Sequence, residues 1–353
     1  MRCAPAFGSS PPPDPHWSPH ALGEKHLIVV TGATGHAGAN LVRALLSRGD
    51  QVRALTFDQH NAAIDGLPVE RMHADVCQPA ALDLAFAGAE VVYHLAAAIS
   101  IHESDGPLLE RVNVVGTRNV VSACLRRGVR RLVHFSSVQA IAETSRGAPL
   151  DEDGPLSLDG SACAYDRSKA RGELEIRAGV ERGLDAVIVA PTAVIGPNDH
   201  RISGMGSFFV DVARGRLPSL MGGGFNWVDV RDVAEGALLA EAHGVTGHKY
   251  ILGGEWASVP SLANEVCRAT GARPPRLVVP LWLVRTAVPL ADRWSALTGM
   301  KLRVTGASVR MLESRRDVRI DKARRVLGYS PRPLAQTVTD AVRWHAEAGN
   351  LKS

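Results

Sequence analysis

A tyrosine and a lysine, Tyr165 and Lys169, have the spacing of a pair that could carry out acid–base chemistry at one site. At positions i and i+4 of a helix, both side chains lie on the same face. A tyrosine hydroxyl has an ordinary pKa of about 10, which makes it a poor acid–base group at neutral pH. A neighbouring ammonium group favours the phenolate and lowers that pKa. The pair alone is weak evidence, because any helix can carry this spacing by chance.

A serine hydroxyl at the end of a strand could act on the same substrate. The apolar segment that begins at Arg131 ends in Ser136 and Ser137, upstream of Tyr165. A hydroxyl at that point can hydrogen-bond a substrate oxygen and stabilise charge that develops on it. The strand-end serine and the tyrosine–lysine pair together predict proton transfer to or from a substrate oxygen.

A glycine-rich turn predicts where a dinucleotide would bind. Gly32, Gly35 and Gly38 follow the short apolar segment 26–30 and open a helical pattern. The first glycine permits a tight turn, the second lets the backbone approach a pyrophosphate, and the third lets the helix pack on the sheet. The N-terminus of that helix would offer free N–H groups to the phosphates. The alternative is a strand–helix turn that binds nothing.

The end of the second strand leaves the choice between NAD and NADP open. A carboxylate there would accept a hydrogen bond from the ribose 2′-hydroxyl, and an arginine would bind a 2′-phosphate. Thr56 stands where the acid is expected and Phe57 where the arginine often stands, while Asp58 comes slightly late and Arg53 slightly early.

After the third strand, Asp75 could accept a hydrogen bond from an adenine amino group or cap a helix.

Strands alternate with helical patterns over the first half of the chain, and this order would position these residues. Apolar strand segments are predicted at 26–30, 51–55, 69–74, 91–94, 131–136 and 186–190, with helices notably at 108–127 and 165–182. Such alternation predicts an α/β fold with a Rossmann-type doubly wound parallel sheet.

The domain organisation follows from where this alternation begins and ends. Residues 1–24 are rich in proline and predict a disordered tail. Residues 25–190 predict the NAD(P)-binding domain, to which 226–252 returns, and 191–225 with 253–350 predict a smaller, discontinuous substrate lobe. The apolar run 277–290 predicts a helix packed on that lobe, with a surface for a membrane or a lipid-like substrate as the alternative.

Composition excludes several function classes. The chain has 353 residues, 22% of them charged, and a net charge of +4 with dispersed basic residues, which argues against nucleic-acid binding. Its five cysteines lie far apart, so neither a disulfide scaffold nor a metal site is expected, and a reducing, cytoplasmic compartment fits best. No apolar stretch is long enough to predict a membrane span.

Taken together, these motifs resemble the extended short-chain dehydrogenase/reductases, also described as NAD(P)-dependent epimerase/dehydratases. The resemblance covers roughly residues 26–347. It is carried by Thr31, Gly32, Gly35 and Gly38, by His94–Ala97, by Asn113, Gly116 and Thr117, by Ser136 and Ser137, by Tyr165 and Lys169, and by Asn226–Val233.

The resemblance implies roles for individual residues. Tyr165 would be the general acid/base, Lys169 its electrostatic partner and ribose ligand, and Ser137 the hydroxyl that orients the substrate. Asn113 matches an asparagine near the family's active site, although it could instead stabilise its helix. The residues expected to contact NAD or NADP are Gly32, Thr34, Gly35, His36, Ala37, Gly38, Asp58, Asp75, Val76, Leu95, Ala96, Ala97, Asn113, Tyr165, Lys169, Pro191 and Val194. A homodimer through the helices at 108–127 and 165–182 is also implied.

Within the family, the sequence favours the branch that resembles dihydroflavonol 4-reductases and 3β-hydroxysteroid dehydrogenases. Dehydratases carry an acidic pair where this chain has Val138 and Gln139. Nucleotide-sugar epimerases usually carry an arginine for the diphosphate where this chain has Phe225, although Arg201 or Arg216 could substitute.

We therefore expect an oxidoreductase that acts on a carbonyl or secondary alcohol of a small, relatively apolar substrate. Two alternatives stay open, a nucleotide-sugar epimerase and a non-catalytic dinucleotide-binding regulatory protein. The pocket is expected within 200–209 and 221–225, where the apolar side chains are Met205, Phe208, Phe209, Met221 and Phe225, with Leu220 beside them.

Overall fold

The computed structural model describes residues 26–143, 148–160, 162–286, 306–313 and 317–351. The expectations for the tail at 1–24 and for the end of the apolar run at 287–290 lie outside the described residues.

Seven parallel strands form the central sheet in the described part of the chain, in the order β10-β6-β5-β4-β1-β2-β3. The order reverses between β1 and β4, and a doubly wound sheet binds its ligand at such a point, outside the carboxyl ends of the strands. The fold class is therefore the predicted one. The strands are β1 (Leu27–Thr31), β2 (Gln51–Thr56), β3 (Glu70–His73), β4 (Val91–His94), β5 (Arg131–Phe135), β6 (Ala186–Pro191) and β10 (Lys249–Leu252).

Helices cover both faces of this sheet. Alternate residues of β1 point to opposite sides, so Ile28 packs with α1 and α7, whereas Val29 packs with α2, α4 and α5. The helices are α1 (His36–Arg48), α2 (Pro79–Ala85), α3 (Gly106–Leu109), α4 (Gly116–Arg127), α5 (Ala164–Glu181), α6 (Gly204–Ala213), α7 (Val230–His243) and α8 (Val259–Thr270), followed by Gly306–Glu313 and Leu334–Glu347. A π-helical turn, Glu110–Val115, separates α3 from α4, so the segment predicted as one helix at 108–127 is interrupted.

A second apolar core lies beside the sheet. Within the described ranges, three strands pair in the order β11-β9-β7, and two more pair as β12 with β8. These strands are β7 (Ala193–Ile195), β8 (Ser219–Met221), β9 (Gly224–Asp229), β11 (Glu255–Ser258) and β12 (Leu277–Val279). Their buried side chains pack with α6, α8 and Leu334–Glu347. The strand expected near Trp227 therefore belongs to this smaller sheet, while α7 and β10 after it return to the central one.

The helix expected over 277–290 is wrong at its start. Leu277–Val279 is a strand that runs parallel to Ser219–Met221, and residues 281–286 are helical. Two valines favour extended backbone, and Pro280 disfavours helical geometry at Val279 before it. Trp282 is 68% exposed, so the described part of this run does not bury its largest side chain.

No helix among the described residues is both long enough and apolar enough to cross a membrane.

Candidate active site

The glycine turn lies at the switch point of the sheet and has no room for a Cβ at Gly32 or Gly38. Gly32 adopts a φ of 68°, and a Cβ there would lie 2.7 Å from the backbone nitrogen of Ala96. A Cβ at Gly38 would lie 2.1 Å from the carbonyl oxygen of Gly32. Gly35 caps α1 without a side-chain hydrogen bond, so the first N–H groups of the helix stay available. This cradle fits a dinucleotide pyrophosphate.

A buried histidine fixes the strand end beside that turn. The Thr31 hydroxyl accepts from the backbone N–H groups of Leu95 and Ala96, so its proton points to Nδ1 of His94 at 2.8 Å. Nε2 of His94 then donates to the Thr117 hydroxyl at 3.1 Å. Burial and the charge of Lys169 lower the pKa of His94 to about 3, so the ring is neutral and positions the backbone at Leu95 and Ala96.

Asn113 lies in the π-helical turn and directs its amide at neighbouring protein groups. Its Nδ2 donates to the Ala98 carbonyl and to the Ser168 hydroxyl, each at 2.9 Å, and its Oδ1 accepts from the Ala98 N–H at 2.8 Å. Both amide hydrogens are thereby used. This geometry ties the segment after β4 to α5, which favours positioning over the direct cofactor contact expected from the sequence.

The structure brings Ser137 and Tyr165 together. Ser137 follows β5, its Oγ accepts from the Gln139 N–H at 3.2 Å, and its hydroxyl lies beside the Tyr165 side chain. Burial raises the pKa of Tyr165 to about 12, and the Ser137 hydroxyl opposes this rise. The phenol therefore carries its proton at neutral pH, which is the state of a proton donor.

Lys169 lies one helical turn beyond the tyrosine and is buried. Its Nζ donates to the Phe135 carbonyl at 2.7 Å. Burial lowers the pKa of Lys169 to about 8, although the carboxylate of Glu173 works in the opposite direction. The lysine is therefore anchored to the end of β5, the strand that carries Ser137.

Glu173 and Lys249 extend this site into the protein, and the sequence reasoning missed both. Glu173 is fully buried, accepts from the Ser136 hydroxyl and forms an ion pair with Lys249 at 2.7 Å. The two adjacent serines thus act on opposite sides, Ser136 inward and Ser137 toward Tyr165. The spacing of Tyr165, Lys169 and Glu173 on one helix face was a signal that could have revealed the glutamate.

A second buried histidine lies within electrostatic range of Lys169 and Lys249. His134 is 2% exposed, and neither ring nitrogen has a hydrogen-bond partner among the described residues. Its ring centroid lies 5.3 Å from that of His94. Burial and the charges of Lys169 and Lys249 place the pKa of His134 well below its ordinary value.

An ion pair between the two parts of the chain lies just beyond the end of β2. Arg201 donates to both carboxylate oxygens of Asp58, at 2.9 and 2.7 Å, and to the Thr34 hydroxyl at 3.0 Å. The bond from Arg201 lowers the pKa of Asp58. In this structure the guanidinium of Arg201 is therefore paired with Asp58.

The backbone before Arg201 lies across the start of α1. The Pro197 carbonyl receives Nε2 of His36 at 3.0 Å and Nδ2 of Asn40 at 3.1 Å. Asn198 adopts a φ of 63° and donates to Oδ1 of Asn40 at 2.9 Å. The His36 side chain therefore links this segment to the glycine turn by a hydrogen bond.

The other predicted cofactor residues lie at the carboxyl edge. Asp75 accepts from the Cys77 N–H at 2.8 Å, and because Gln78 caps α2, Asp75 is not the helix cap. Leu95, Ala96 and Ala97 directly follow β4. The remaining members are Ala37 in the first turn of α1, the buried Val76, Pro191 at the end of β6 and Val194 in β7.

The apolar residues expected to line a pocket divide into core and rim. Phe209 and Leu220 are buried in the second core, whereas Met205, Phe208 and Phe225 are partly buried at its edge. The ring of Phe225 contacts the buried Trp227 at 5.1 Å between centroids. Arg216 is exposed.

Similarity to known proteins extends over nearly the whole chain. The family model described as NAD dependent epimerase/dehydratase family matches residues 28–253. Sterol demethylase protein B of Methylococcus capsulatus is 39% identical over 92% of this chain and 99% of its own. A 4-hydroxy-2-methyl-3-oxo-4-farnesyl-3,4-dihydroquinoline-1-oxide ketoreductase of Stigmatella aurantiaca is 29% identical over 91% of this chain and 96% of its own.

A solved structure matches the fold over the same extent. The crystal structure of gox2253 superposes with a TM-score of 0.83 at 34% identity and covers 93% of this chain and 100% of its own.

Proposed function

The chain belongs to the NAD dependent epimerase/dehydratase family, and on that premise we propose that it is a dinucleotide-dependent oxidoreductase that reduces a carbonyl group or oxidises the corresponding secondary alcohol. The observation that carries the proposal is the placement of Ser137 beside Tyr165 at the carboxyl end of β5, with Lys169 buried and anchored to the Phe135 carbonyl of the same strand. A protein that only senses a dinucleotide has no chemical need for this set of groups.

The residues divide the chemistry between binding and proton transfer. The turn at Gly32 and Gly35 would hold the pyrophosphate, and Lys169 would hold the nicotinamide ribose. The bound dinucleotide supplies or accepts the hydride. Tyr165 donates its proton to the carbonyl oxygen, while Ser137 donates a hydrogen bond that fixes this oxygen. Burial raises the pKa of Tyr165 to about 12, so Tyr165 carries its proton at pH 7 and can act as the donor.

We further propose that the substrate is relatively apolar and lacks a diphosphate. A diphosphate needs cationic or N–H partners when it is buried. Phe225 stands where the clamp is expected, and Arg201 is paired with Asp58. The similarity to a sterol demethylase protein and to a ketoreductase of a farnesylated substrate supports the same substrate class.

We also propose an assembly state and a compartment. A homodimer through the segments 108–127 and 165–182 follows from the family resemblance, and Leu108 and Leu174 in these segments are exposed. Light scattering tests it, and a clean monomer would refute it. A cytoplasmic location is proposed from the separated cysteines.

The test combines a substrate panel with a single-atom change. Purified protein loaded with NADH or NADPH is offered cyclic ketones and flavanonol-like carbonyl compounds, and dinucleotide oxidation is followed by absorbance. We expect turnover with at least one ketone and at least a ~100-fold lower kcat for Tyr165→Phe. The phenylalanine variant should keep its cofactor affinity, whereas Lys169→Ala should lose part of it.

Two outcomes would contradict this assignment. Micromolar binding of a UDP- or dTDP-sugar, weakened by Arg216→Ala, would favour the epimerase instead. Dinucleotide binding without turnover of any carbonyl, alcohol or nucleotide sugar would favour the regulatory protein.

A further inference from the structure

Arg201 lies where the adenosine ribose of a dinucleotide would approach. It reaches from the segment after β7 to the end of β2, and its Nη2 contacts the Asp58 carboxylate, the Thr34 hydroxyl and the His60 carbonyl. Thr34 belongs to the glycine turn and Asp58 follows β2 by two residues. These two elements flank the ribose in a doubly wound dinucleotide domain.

We propose that the Asp58–Arg201 pair determines cofactor choice, that it favours NAD, and that Arg201 is a 2′-phosphate ligand which Asp58 keeps occupied. This inference rests on the proposed dinucleotide-dependent function. It assigns the choice to a residue that lies 143 positions beyond Asp58 in the sequence.

Charge explains the direction of the preference. The carboxylate and the guanidinium form a pair at 2.7 Å with no net charge. A ribose 2′-hydroxyl is neutral and can donate to an oxygen of Asp58, which keeps spare acceptor capacity. A 2′-phosphate would instead meet the carboxylate at close range, where like charges repel.

The same geometry shows what happens if the carboxylate is lost. A guanidinium has five N–H donors in a planar fork that matches phosphate oxygens. With a neutral side chain at position 58, the charge of Arg201 is no longer compensated, and the Thr34 hydroxyl stands beside it as a further donor. Phe57 is 63% exposed next to the pair, so the approach to this edge is open.

The backbone that carries Arg201 is fixed, so the guanidinium should stay in place without Asp58. Pro197 and Asn198 are hydrogen-bonded to His36 and Asn40 of α1. The bonds from Arg201 to Thr34 and to the His60 carbonyl remain as well. A substitution at position 58 therefore changes the charge at the edge more than its geometry.

The test measures binding and does not depend on turnover. Full-length protein freed of nucleotide is titrated calorimetrically with NAD and NADP, and with ADP and 2′,5′-ADP as probes of the adenosine end alone. The variants are Asp58→Asn, Arg201→Met and the double variant. Asp83→Asn is the matched control, since Asp83 pairs with Arg126 at 2.8 Å on helices away from this edge.

We expect wild type to prefer NAD, and Asp58→Asn to shift the NADP-to-NAD affinity ratio by about 30-fold toward NADP, the size of one or two charge-assisted hydrogen bonds. The probe pair should shift in parallel, the double variant should reverse the shift, and Asp83→Asn should leave it unchanged. A shift that persists in the double variant, or a wild type that prefers NADP, overturns the proposal but leaves the oxidoreductase assignment intact. A wild type that binds neither dinucleotide overturns both.

Discussion

Two ion pairs of equal length lie at opposite ends of the site, and their surroundings give them different roles. Glu173 and Lys249 approach to 2.7 Å behind Tyr165 and Lys169, with side chains 0% and 5% exposed. Asp58 and Arg201 also approach to 2.7 Å at the adenosine end, but their side chains are 37% and 41% exposed. Water screens the second pair and not the first, so the same distance corresponds to very different coupling.

The comparison distinguishes interactions that stabilise the site from interactions that determine which ligand it binds. A buried charge that loses its partner has no solvent to replace it, whereas an exposed one is resolvated at little cost. We therefore expect changes at the buried end to affect stability and turnover, and changes at the open end to affect ligand choice alone.

The largest effect is expected from Lys249→Met. Glu173 would then be a buried carboxylate without its ion-pair partner, which costs about 3–5 kcal/mol of unfolding free energy. Urea unfolding measures it, and the double variant Lys249→Met/Glu173→Gln should recover most of the loss. A loss below about 1 kcal/mol for the single variant would show that the pair behaves like a surface pair.

Substitutions of the two adjacent serines should differ in the same way, one affecting turnover and the other stability. Ser137→Ala removes the hydroxyl beside Tyr165 and should lower kcat about 100-fold, with little change in the urea midpoint. Ser136→Ala leaves one oxygen of Glu173 without its donor and should instead lower stability by about 1–3 kcal/mol. Steady-state kinetics and urea unfolding of both variants test this, and equal kinetic losses in the two would contradict the assignment of Ser137.

His134→Leu should change how stability depends on pH. The pKa of His134 is far below its ordinary value in the folded protein, so between that low value and about 6.5 the unfolded chain binds a proton that the folded chain does not. Wild type therefore loses stability as the pH falls below about 6.5, by up to about 1.4 kcal/mol per pH unit for one such histidine.

The leucine variant lacks this contribution, so its free energy of unfolding should fall less between pH 7 and pH 5. His94 is still present in the variant and still contributes to the pH dependence. Urea unfolding at pH 5, 6 and 7.5 measures the difference. Parallel pH curves for the variant and wild type would mean that the pKa of His134 is the same in the folded and unfolded chains.

The smallest effect is expected from Asp58→Asn on stability. Exposed ion pairs contribute about 0–1 kcal/mol, so the urea midpoint should hardly move even though ligand choice does. Glu175→Gln, which breaks the Arg118 pair at 2.7 Å between α4 and α5, is the surface reference and should cost equally little. A loss above about 2 kcal/mol for Asp58→Asn would show that the pair supports the fold, and the contrast between the two ends would fail.

Local patterns in the sequence were sufficient for the sheet and the glycine turn. Ile28 and Val29 must face opposite sides of a strand, and Gly32 and Gly38 fill positions where no Cβ fits. These are properties of neighbouring residues, so they can be read without knowledge of the fold. The prediction of a helix at Leu277–Val279 was wrong. A short apolar run can form either a strand or a helix, depending on the element it packs against, and here it pairs with the strand Ser219–Met221.

Only the tertiary structure decided which charges meet. Glu173 and Lys249 are 76 positions apart (249 minus 173), and Asp58 and Arg201 are 143 apart. No periodicity relates residues at such separations, because their distance is set by how whole elements pack. The sequence determined the strands, the phosphate turn and the identity of Ser137, Tyr165 and Lys169 as a set. The fold determined that Ser136 faces inward to Glu173 while Ser137 faces Tyr165, since consecutive residues leave a strand end on opposite sides.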